Sequence, residues 1–142
     1  MSRVELARYR MEKTEEFLED AEDALERRRL MLAVNRAYYT MFTSAKALLA
    51  LEEKDSSKHS GVISLFNQWI VKPGYFSREI SRFFVKAKDL REDADYADFV
   101  KITEEDARIQ VERASKFFEE AKKSLEEIIK LQNTQSESLD SP

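Results

Sequence analysis

Hydrophobic residues recur at steps of three and four along most of the chain, the spacing that places side chains on one face of an α-helix. Near the start, a heptad seam between charged positions follows Val4, Ala7, Met11, Thr14, Leu18, Ala21 and Leu25. A second seam starts after Thr103 and Asp106, which are spaced like a capping box. It follows Ala107, Val111, Ala114, Phe118, Ala121, Leu125 and Ile128 to about Leu131. We expect the first and last helices to be long and to pair with each other.

The second helix, predicted over residues 30–51, is apolar around nearly half of its circumference, which is more than a surface helix needs. It is therefore expected to be the central helix. Ser56 or Ser57 is expected to cap a third helix, which carries Val62, Leu65, Phe66, Trp69 and Ile70 and ends at the sequence VKPGY. A fourth helix carries Phe76, Ile80, Phe83, Phe84, Ala87 and Leu90, and it leads into a connection with the sequence LREDADYADFVKIT.

The composition agrees with a helical fold, because only two glycines and two prolines occur in 142 residues while 37% of the residues are charged. We predict one all-α domain over residues 1–132, an antiparallel up-and-down bundle of four to five helices with long first and last helices. The remaining residues, 133–142, have no helical periodicity and are expected to form a disordered tail.

Cysteine content and charge exclude several classes of function. The absence of cysteine excludes disulfides, a thiol nucleophile and cysteine-ligated metal centres, and it favours a cytoplasmic location. One histidine without cysteine argues against a metal site, and we expect no cofactor. The net charge of −4 provides no overall basic field, so any contact with nucleic acid must be local. No apolar run is long enough to cross a bilayer, and we expect no membrane partner.

The second helix also carries polar residues on the side opposite its apolar arc. At 3.6 residues per turn, Arg36, Tyr39, Thr40 and Thr43 share that side, with about 10.5 Å between Arg36 and Thr43. Such a stripe is a solvated edge, a buried network between helices, or the floor of a cleft that binds an anion through the guanidinium group.

The only histidine, His59, lies where the third helix is expected to begin. Free backbone N–H groups at a helix start favour anions, so Lys58 and His59 are candidates for binding phosphate. The alternative is a histidine used in capping or surface packing. No Ser–His–Asp triad or glycine-rich phosphate loop is present.

The fourth helix concentrates positive charge on an otherwise acidic chain, with Arg78, Arg82, Lys86, Lys88 and Arg91. This series either follows an RNA backbone or is a solvated face. In the connection that follows, Arg91, Asp95 and Tyr96 have no packing role in a simple bundle. An Arg91–Asp95 pair would order the connection or place Arg91 and Tyr96 in a cleft.

Three of these segments together resemble the HEPN domain family, in its branch of small stand-alone proteins. They are NRAYYTMFTSAKALL, SKHSGVISLF and LREDADY, and the resemblance covers roughly residues 10 to 125. It implies a bundle of four or five helices that commonly dimerises, and a link to nucleotide or RNA chemistry. Some relatives are metal-independent RNases that act as toxins and are encoded beside a small nucleotidyltransferase antitoxin.

The RNase members of the family use an arginine followed four to six residues later by a histidine, usually with one copy from each subunit of a dimer. Here no histidine follows Arg91, and Thr43 stands after Arg36 where many relatives have histidine. The acid–base help of an imidazole is worth roughly 10² to 10⁴-fold. Only His59, from another helix start, is left to supply it.

Three functions remain open. The first is a HEPN module that binds nucleotide or RNA and partners a nucleotidyltransferase, the second is an active RNase toxin, and the third is a structural helical interaction protein. For a catalytic site the candidates are Arg36, His59 and Arg91, and for ligand binding they are Tyr39, Lys58, Asp95 and Tyr96. We expect Arg36, Tyr39, His59, Arg91 and Tyr96 to converge on one cleft.

We also expect a homodimer, because the third and fourth helices carry more aromatic residues than one short bundle obviously hides. These residues are Phe66, Trp69, Tyr75, Phe76, Phe83 and Phe84.

Overall fold

Five α-helices form the fold: α1 (Arg3–Glu26), α2 (Leu30–Leu51), α3 (His59–Phe66), α4 (Arg78–Tyr96) and α5 (Glu104–Asp140). A π-helical turn, Asn67–Val71, continues α3. The computed structural model describes the backbone of residues 1–96 and 101–140 and the side chains of residues 1–95 and 101–136. Within these ranges no strand occurs, and the predicted all-α bundle is confirmed.

Helix α2 is the central helix, as its wide apolar arc predicts. It packs along α1 and also contacts α3, α4 and α5. Its buried side chains lie on nearly every side, and they include the polar residues Thr40 and Ser44, which are both fully buried. Helices α1 and α5 do contact each other, but each of them packs more extensively on α2 than on the other.

An aromatic cluster fills the space between α3, α4 and α5. The ring of Phe117 on α5 lies 5.7 Å from Phe66, 4.7 Å from Phe76 and 5.8 Å from Phe84, measured between centroids. These four rings are buried, and the other aromatic residues of the predicted dimer surface, Trp69, Tyr75 and Phe83, are partly buried against the core. Phe66, Phe76 and Phe84 therefore offer no surface for a dimer, whereas Trp69, Tyr75 and Phe83 keep part of their surface exposed. The homodimer itself stays a prediction.

Two helix starts show how local sequence sets the element boundaries. At the start of α5 the predicted capping box is present, because Thr103 N–H donates to Asp106 Oδ2 at 3.1 Å and Asp106 N–H donates to Thr103 Oγ1 at 3.0 Å. At the start of α3 the N-cap is Lys58 and not a serine. The Ser56 hydroxyl accepts a hydrogen bond from Lys58 N–H at 3.2 Å, and so it orders the turn before the helix.

Helix α4 continues through Tyr96, so the first part of the predicted connection is helical. The pairs Lys88–Glu92, at 2.7 Å, and Arg91–Asp95, at 3.6 Å, are four residues apart and support a helix that lacks apolar periodicity there. Residues 97–100 of the predicted connection lie outside the described residues.

Helix α5 is longer than its apolar pattern predicts, because it continues beyond Leu131 to Asp140. No glycine or proline occurs between residue 104 and Pro142 to end it. The Gln132 side chain donates to the carbonyl oxygen of Leu51 at 2.9 Å, whereas the side chains of residues 133–136 are exposed. The division of the chain into a domain and a tail at residue 132 stays a prediction.

Candidate functional site

The histidine and a tyrosine of the central helix form the centre of the candidate site. Tyr38 lies on the buried face of α2 and is 0% exposed, and His59 is the first residue of α3. The phenol oxygen of Tyr38 lies 2.7 Å from Nδ1 of His59. The imidazole also stacks on Phe42, with 4.4 Å between the ring centroids. The hydrogen bond to α2 therefore fixes the position of Nδ1 of His59.

The direction of this hydrogen bond follows from the surroundings of Tyr38. A buried hydroxyl group that does not donate is left with an unsatisfied proton, which costs about 1–3 kcal/mol. Among the described residues, Nδ1 of His59 is the only hydrogen-bond partner of the Tyr38 hydroxyl. Tyr38 therefore donates, and neutral His59 carries its proton on Nε2. This tautomer presents an N–H donor on the side of the ring away from Tyr38.

Helix α4 brings a guanidinium group to the same place. The Cζ atom of Arg91 lies 4.8 Å from the ring centroid of Tyr38 and 5.8 Å from that of Tyr39. Its side chain is only 12% exposed, and it pairs with Asp95 at 3.6 Å. Its Nε atom is buried without a hydrogen-bond partner among the described residues. We call Tyr38, Tyr39, Phe42, His59, Arg91 and Asp95 the His59 cluster.

The charges around His59 favour its neutral form. Burial lowers the pKa of His59, and the cations Arg91 and Lys88 lower it further, while Glu92 acts in the opposite direction. Burial raises the pKa of the Tyr38 phenol, so that it remains protonated. At neutral pH the cluster therefore combines a neutral imidazole, a neutral phenol and a charged guanidinium group.

The connection between α2 and α3 positions His59 through a carboxylate and a glycine. Asp55 pairs with Arg10 at 3.7 Å and with Lys46 at 3.3 Å, which ties the connection to α1 and α2. Burial opposes ionisation of Asp55, but the Ser56 N–H and Lys46 hold the pKa of its carboxyl group below the usual value. A Cβ atom at Gly61 would overlap the Ser56 hydroxyl and lie 2.9 Å from Ser56 Cβ. A residue without a side chain is therefore required where α3 meets this turn.

The structure brings four of the predicted site residues together and leaves others at the margin. Tyr39 and His59 have ring centroids 6.0 Å apart, Arg91 lies against Tyr39, and Asp95 pairs with Arg91. Arg36 donates to Asn35 Oδ1 at 2.6 Å, and its guanidinium group lies 5.9 Å from the ring of Phe17.

The remaining residues of the predicted site and stripe lie as follows. The ring of Phe17 lies 5.8 Å from that of Tyr39, so Arg36 adjoins the cluster through a neighbour. Lys58 is exposed at the start of α3, and Tyr96 is the last residue of α4. Thr43 forms a 2.7 Å hydrogen bond with Thr14 of α1, so this part of the polar stripe is a network between helices.

Two residues of the His59 cluster and one cation close to it were not predicted from the sequence. Tyr38 and Phe42 belong to the apolar arc of α2, where aromatic residues indicate core, and Lys88 was assigned to a charged face. A signal was present for Tyr38, because a tyrosine hydroxyl in a buried position needs a polar partner. No comparable signal identifies that partner, since His59 is 21 residues away in the chain.

The described residues do not contain a group of three or more histidine, aspartate or glutamate side chains arranged to hold a metal ion. In the same part of the chain, no helix has the length and apolar character needed to cross a membrane.

Comparison with known proteins connects the site to a family. A "UPF0332 protein" of Thermotoga maritima is 34% identical over 120 residues, which are 84% of this chain and 91% of the relative. Two proteins of Methanocaldococcus jannaschii carry the name "Putative toxin". One is 40% identical over 119 residues, covering 84% of this chain and 88% of the relative. The other is 32% identical over 130 residues, covering 90% of this chain and 88% of the relative.

The sequence model of the HEPN domain matches residues 7–127, which include all of the His59 cluster. This span agrees with the resemblance carried by the three sequence segments. The chain belongs to the HEPN domain family.

Proposed function

We propose that this chain is a toxin-like HEPN module that binds RNA or nucleotide phosphate at the His59 cluster and works with a small nucleotidyltransferase. The observation that carries the proposal is the hydrogen bond from Tyr38 to His59. It leaves the Nε2–H of a neutral imidazole as a donor, and the guanidinium group of Arg91, which lies over the ring of Tyr38, is close enough to lower the pKa of His59. Two donors of this kind match the oxygen atoms of a phosphate group.

A phosphate would interact with the charge of Arg91 and with guanidinium N–H groups, such as Nε–H, that have no hydrogen-bond partner among the described residues. Asp95 is 3.6 Å away, which is long for a charge-assisted hydrogen bond, so a phosphate oxygen can compete for the guanidinium group. Tyr39 offers a ring beside this position for a nucleobase or ribose. Lys58, Arg36 and Tyr96 are proposed to contact the ligand farther from the phosphate.

The partner and the oligomeric state are proposals that rest on the family. Two relatives are named as toxins, and a toxin of this family is expected to act beside a nucleotidyltransferase antitoxin. A homodimer is expected for the same reason, and sedimentation equilibrium at micromolar concentration should give twice the chain mass. A monomer under those conditions would exclude a site composed from two subunits.

The test is a titration of uridine monophosphate and a short single-stranded RNA into the wild type and Arg91→Gln. Hydrogen bonds to charged groups contribute about 1.5–3 kcal/mol, so the substitution should weaken binding roughly tenfold or more. Arg36→Ala should weaken it less, because Arg36 lies at the margin of the cluster. The matched control is Arg113→Gln on α5, whose guanidinium group lies 5.0 Å from the ring of Phe83. Equal binding by the wild type and Arg91→Gln would contradict the proposal.

A second function, a metal-independent RNase, is favoured by one observation. Separate helices bring an imidazole and a guanidinium group to the same tyrosine, Tyr38, and these are the two groups that the family's RNase pattern supplies four to six residues apart. In such a reaction the ribose 2′-hydroxyl loses its proton to solvent water as its oxygen attacks phosphorus, the P–O5′ bond breaks, and protonated His59 gives its proton to the leaving 5′-oxygen. The neutral tautomer lacks a free lone pair on Nε2, so cleavage should increase as the pH falls.

An RNA cleavage assay separates the two functions. Cleavage that is abolished by His59→Ala and retained by Arg113→Gln would support the RNase. Binding without cleavage across the pH range would leave the module as a phosphate-binding protein. We expect slow or absent cleavage at neutral pH.

A further inference from the structure

A cationic groove lies between the π-helical turn and the start of α4. Its volume is about 580 Å³, and its lining includes the amide side chains of Asn67 and Gln68, the hydroxyl of Ser81, and the cations Lys72, Arg78 and Arg82. All of these except Ser81 are exposed. We call this the α3–α4 groove. It is distinct from the His59 cluster, with which it shares no residue.

Among the described side chains, no carboxylate pairs with the cations of the groove. Lys72, Arg78 and Arg82 form no ion pair within 4.0 Å with any residue whose side chain the structure describes. Other cations of α4 differ, since Lys88 and Arg91 are paired with Glu92 and Asp95. Because the whole chain carries a net charge of −4, this groove is a local exception that attracts an anionic ligand.

The groove and the His59 cluster lie along the same side of α4. Ser81 lines the groove, and Lys88 lies close enough to His59 to lower the pKa of the imidazole. These two residues are seven positions apart and therefore share one side of the helix, about 10.5 Å apart along its axis. One extended ligand can therefore contact the groove with one part and the His59 cluster with another.

We infer that the α3–α4 groove binds the backbone of single-stranded RNA that continues into the His59 cluster, an inference that rests on the proposed function. Arginine and lysine supply the contacts to phosphates. The amide side chains of Asn67 and Gln68 supply donors and acceptors for the Watson–Crick edges of bases, which are free in single strands and paired in an RNA duplex. An acidic peptide would use the cations but has no equivalent of the base edges, so RNA fits the lining better.

The inference predicts that the length of the RNA decides whether the groove contributes to binding. A uridine dinucleotide fills only the His59 cluster, whereas an oligouridine octamer reaches the groove as well. The groove variant Arg78→Gln/Arg82→Gln should therefore weaken binding of the octamer and leave binding of the dinucleotide unchanged. Both arginines are exposed, so the variant should keep the helical circular dichroism spectrum of the wild type.

Salt dependence gives the expected size of the effect. For single strands the slope of log K against log salt changes by about 0.7 for each phosphate neutralised, so loss of two contacts should reduce the slope by about 1.4. When salt is raised fourfold, the wild type should then lose about sevenfold more affinity for the octamer than the variant loses. The measurement is fluorescence anisotropy with labelled RNA at several salt concentrations.

The matched control is Lys116→Gln/Lys123→Gln on α5, which removes the same charge from two exposed lysines that are seven residues apart. This control should bind both RNAs as the wild type does. Equal losses in the two double variants would mean that only net charge matters, and would overturn the inference.

The remaining outcomes separate the groove from the site. If the wild type and Arg78→Gln/Arg82→Gln bind the octamer equally, the groove inference fails while the proposed function stands. If the wild type binds neither RNA, both fail. If an octaglutamate peptide displaces the octamer as well as unlabelled octamer does, the groove is a site for acidic protein and its assignment to RNA is overturned.

Discussion

The phenol oxygen of Tyr38 and Nδ1 of His59 lie 2.7 Å apart, and this contact joins the central helix of the bundle to the first residue of its shortest α-helix. It fixes the imidazole ring in position and, through the donated proton, its tautomer. The acid–base properties of the chain's only histidine are therefore controlled by a residue of the hydrophobic core. That relationship leads directly to two measurable properties of the site.

Replacing Tyr38 with phenylalanine should raise the pKa of His59. The Tyr38 hydroxyl donates to the neutral imidazole and stabilises that form, so its removal makes protonation easier. The loss of one buried hydrogen bond should also lower the free energy of unfolding by about 1 kcal/mol. The pKa can be followed by NMR titration of the imidazole protons, because a single histidine gives a single set of titrating signals.

The control for this change is Tyr39→Phe, because the ring of Tyr39 meets His59 edge to face at a centroid distance of 6.0 Å. This variant should leave the pKa of His59 close to that of the wild type. A lower pKa of His59 in Tyr38→Phe would mean that Nδ1 carries the proton and donates a hydrogen bond to the Tyr38 oxygen. The neutral histidine would then be a base at Nε2, and the RNase function would gain support.

The stability of the chain should depend on pH through His59. Its pKa in the folded chain lies below the unfolded value of 6.5, so the unfolded chain binds the proton more readily. The contribution of neutral His59 is therefore fully present above pH 6.5 and is lost as the pH falls toward the folded pKa. Urea unfolding at a series of pH values should show a steeper decline below pH 6.5 for the wild type than for His59→Gln. Parallel curves would contradict this prediction.

Gly61→Ala should destabilise the turn that carries His59. The added Cβ would overlap the Ser56 hydroxyl, and overpacking of this kind costs about 1–3 kcal/mol. Thermal unfolding should show a lower midpoint for this variant. The substitution Ser56→Gly removes both atoms that the added Cβ would meet. The double variant Ser56→Gly/Gly61→Ala should therefore unfold at nearly the same midpoint as Ser56→Gly alone. A midpoint for the double variant well below that of Ser56→Gly would mean that Gly61→Ala acts through the helix backbone and not through contact with Ser56.

Phe84→Ala should be among the most damaging single changes in the chain. Phe84 is 1% exposed, and its ring lies 5.9 Å from Tyr38 and 5.8 Å from Phe117, so it connects the site to the aromatic core. Its removal should cost about 3–5 kcal/mol in the free energy of unfolding. The neighbouring Val85 is 43% exposed, and Val85→Ala should change stability by less than about 0.5 kcal/mol. Similar losses in the two variants would contradict the placement of Phe84 on the buried side of α4 and of Val85 on its exposed side.

Apolar periodicity was sufficient to predict the helices that pack along regular stripes. The seam from Ala107 to Ile128 is buried at each of its positions, and the central role of α2 follows from the width of its arc. The pattern failed around Arg91, where charged residues replace apolar ones and the helix is supported by pairs four residues apart. The spacing of apolar residues cannot identify a helix in such a segment, and the segment was therefore predicted to be a connection.

The site was less predictable than the fold because its contacts join distant segments. His59 and Arg91 were singled out as unusual residues, but the hydroxyl group that orients the imidazole lies within the apolar arc at Tyr38. Periodicity identifies the face of a helix that is buried, and it does not identify which buried polar atom meets which partner. The same limit applies to Arg36, because its position on the polar side of α2 did not identify its contacts, which are to Asn35 and Phe17.

The shortness of α3 has a consequence for how a ligand reaches His59. This helix has eight residues before its π-helical continuation, and none of the described side chains caps its first turn, whereas α2 is enclosed by four other helices. Helices of this length are marginal in isolation, and local opening requires much less free energy than global unfolding. The first turn of α3 should therefore open while the bundle remains folded, and its amide hydrogens should exchange with solvent faster than those of α2. Such openings would separate His59 from Tyr38 for short periods and admit a ligand larger than the closed cluster accommodates.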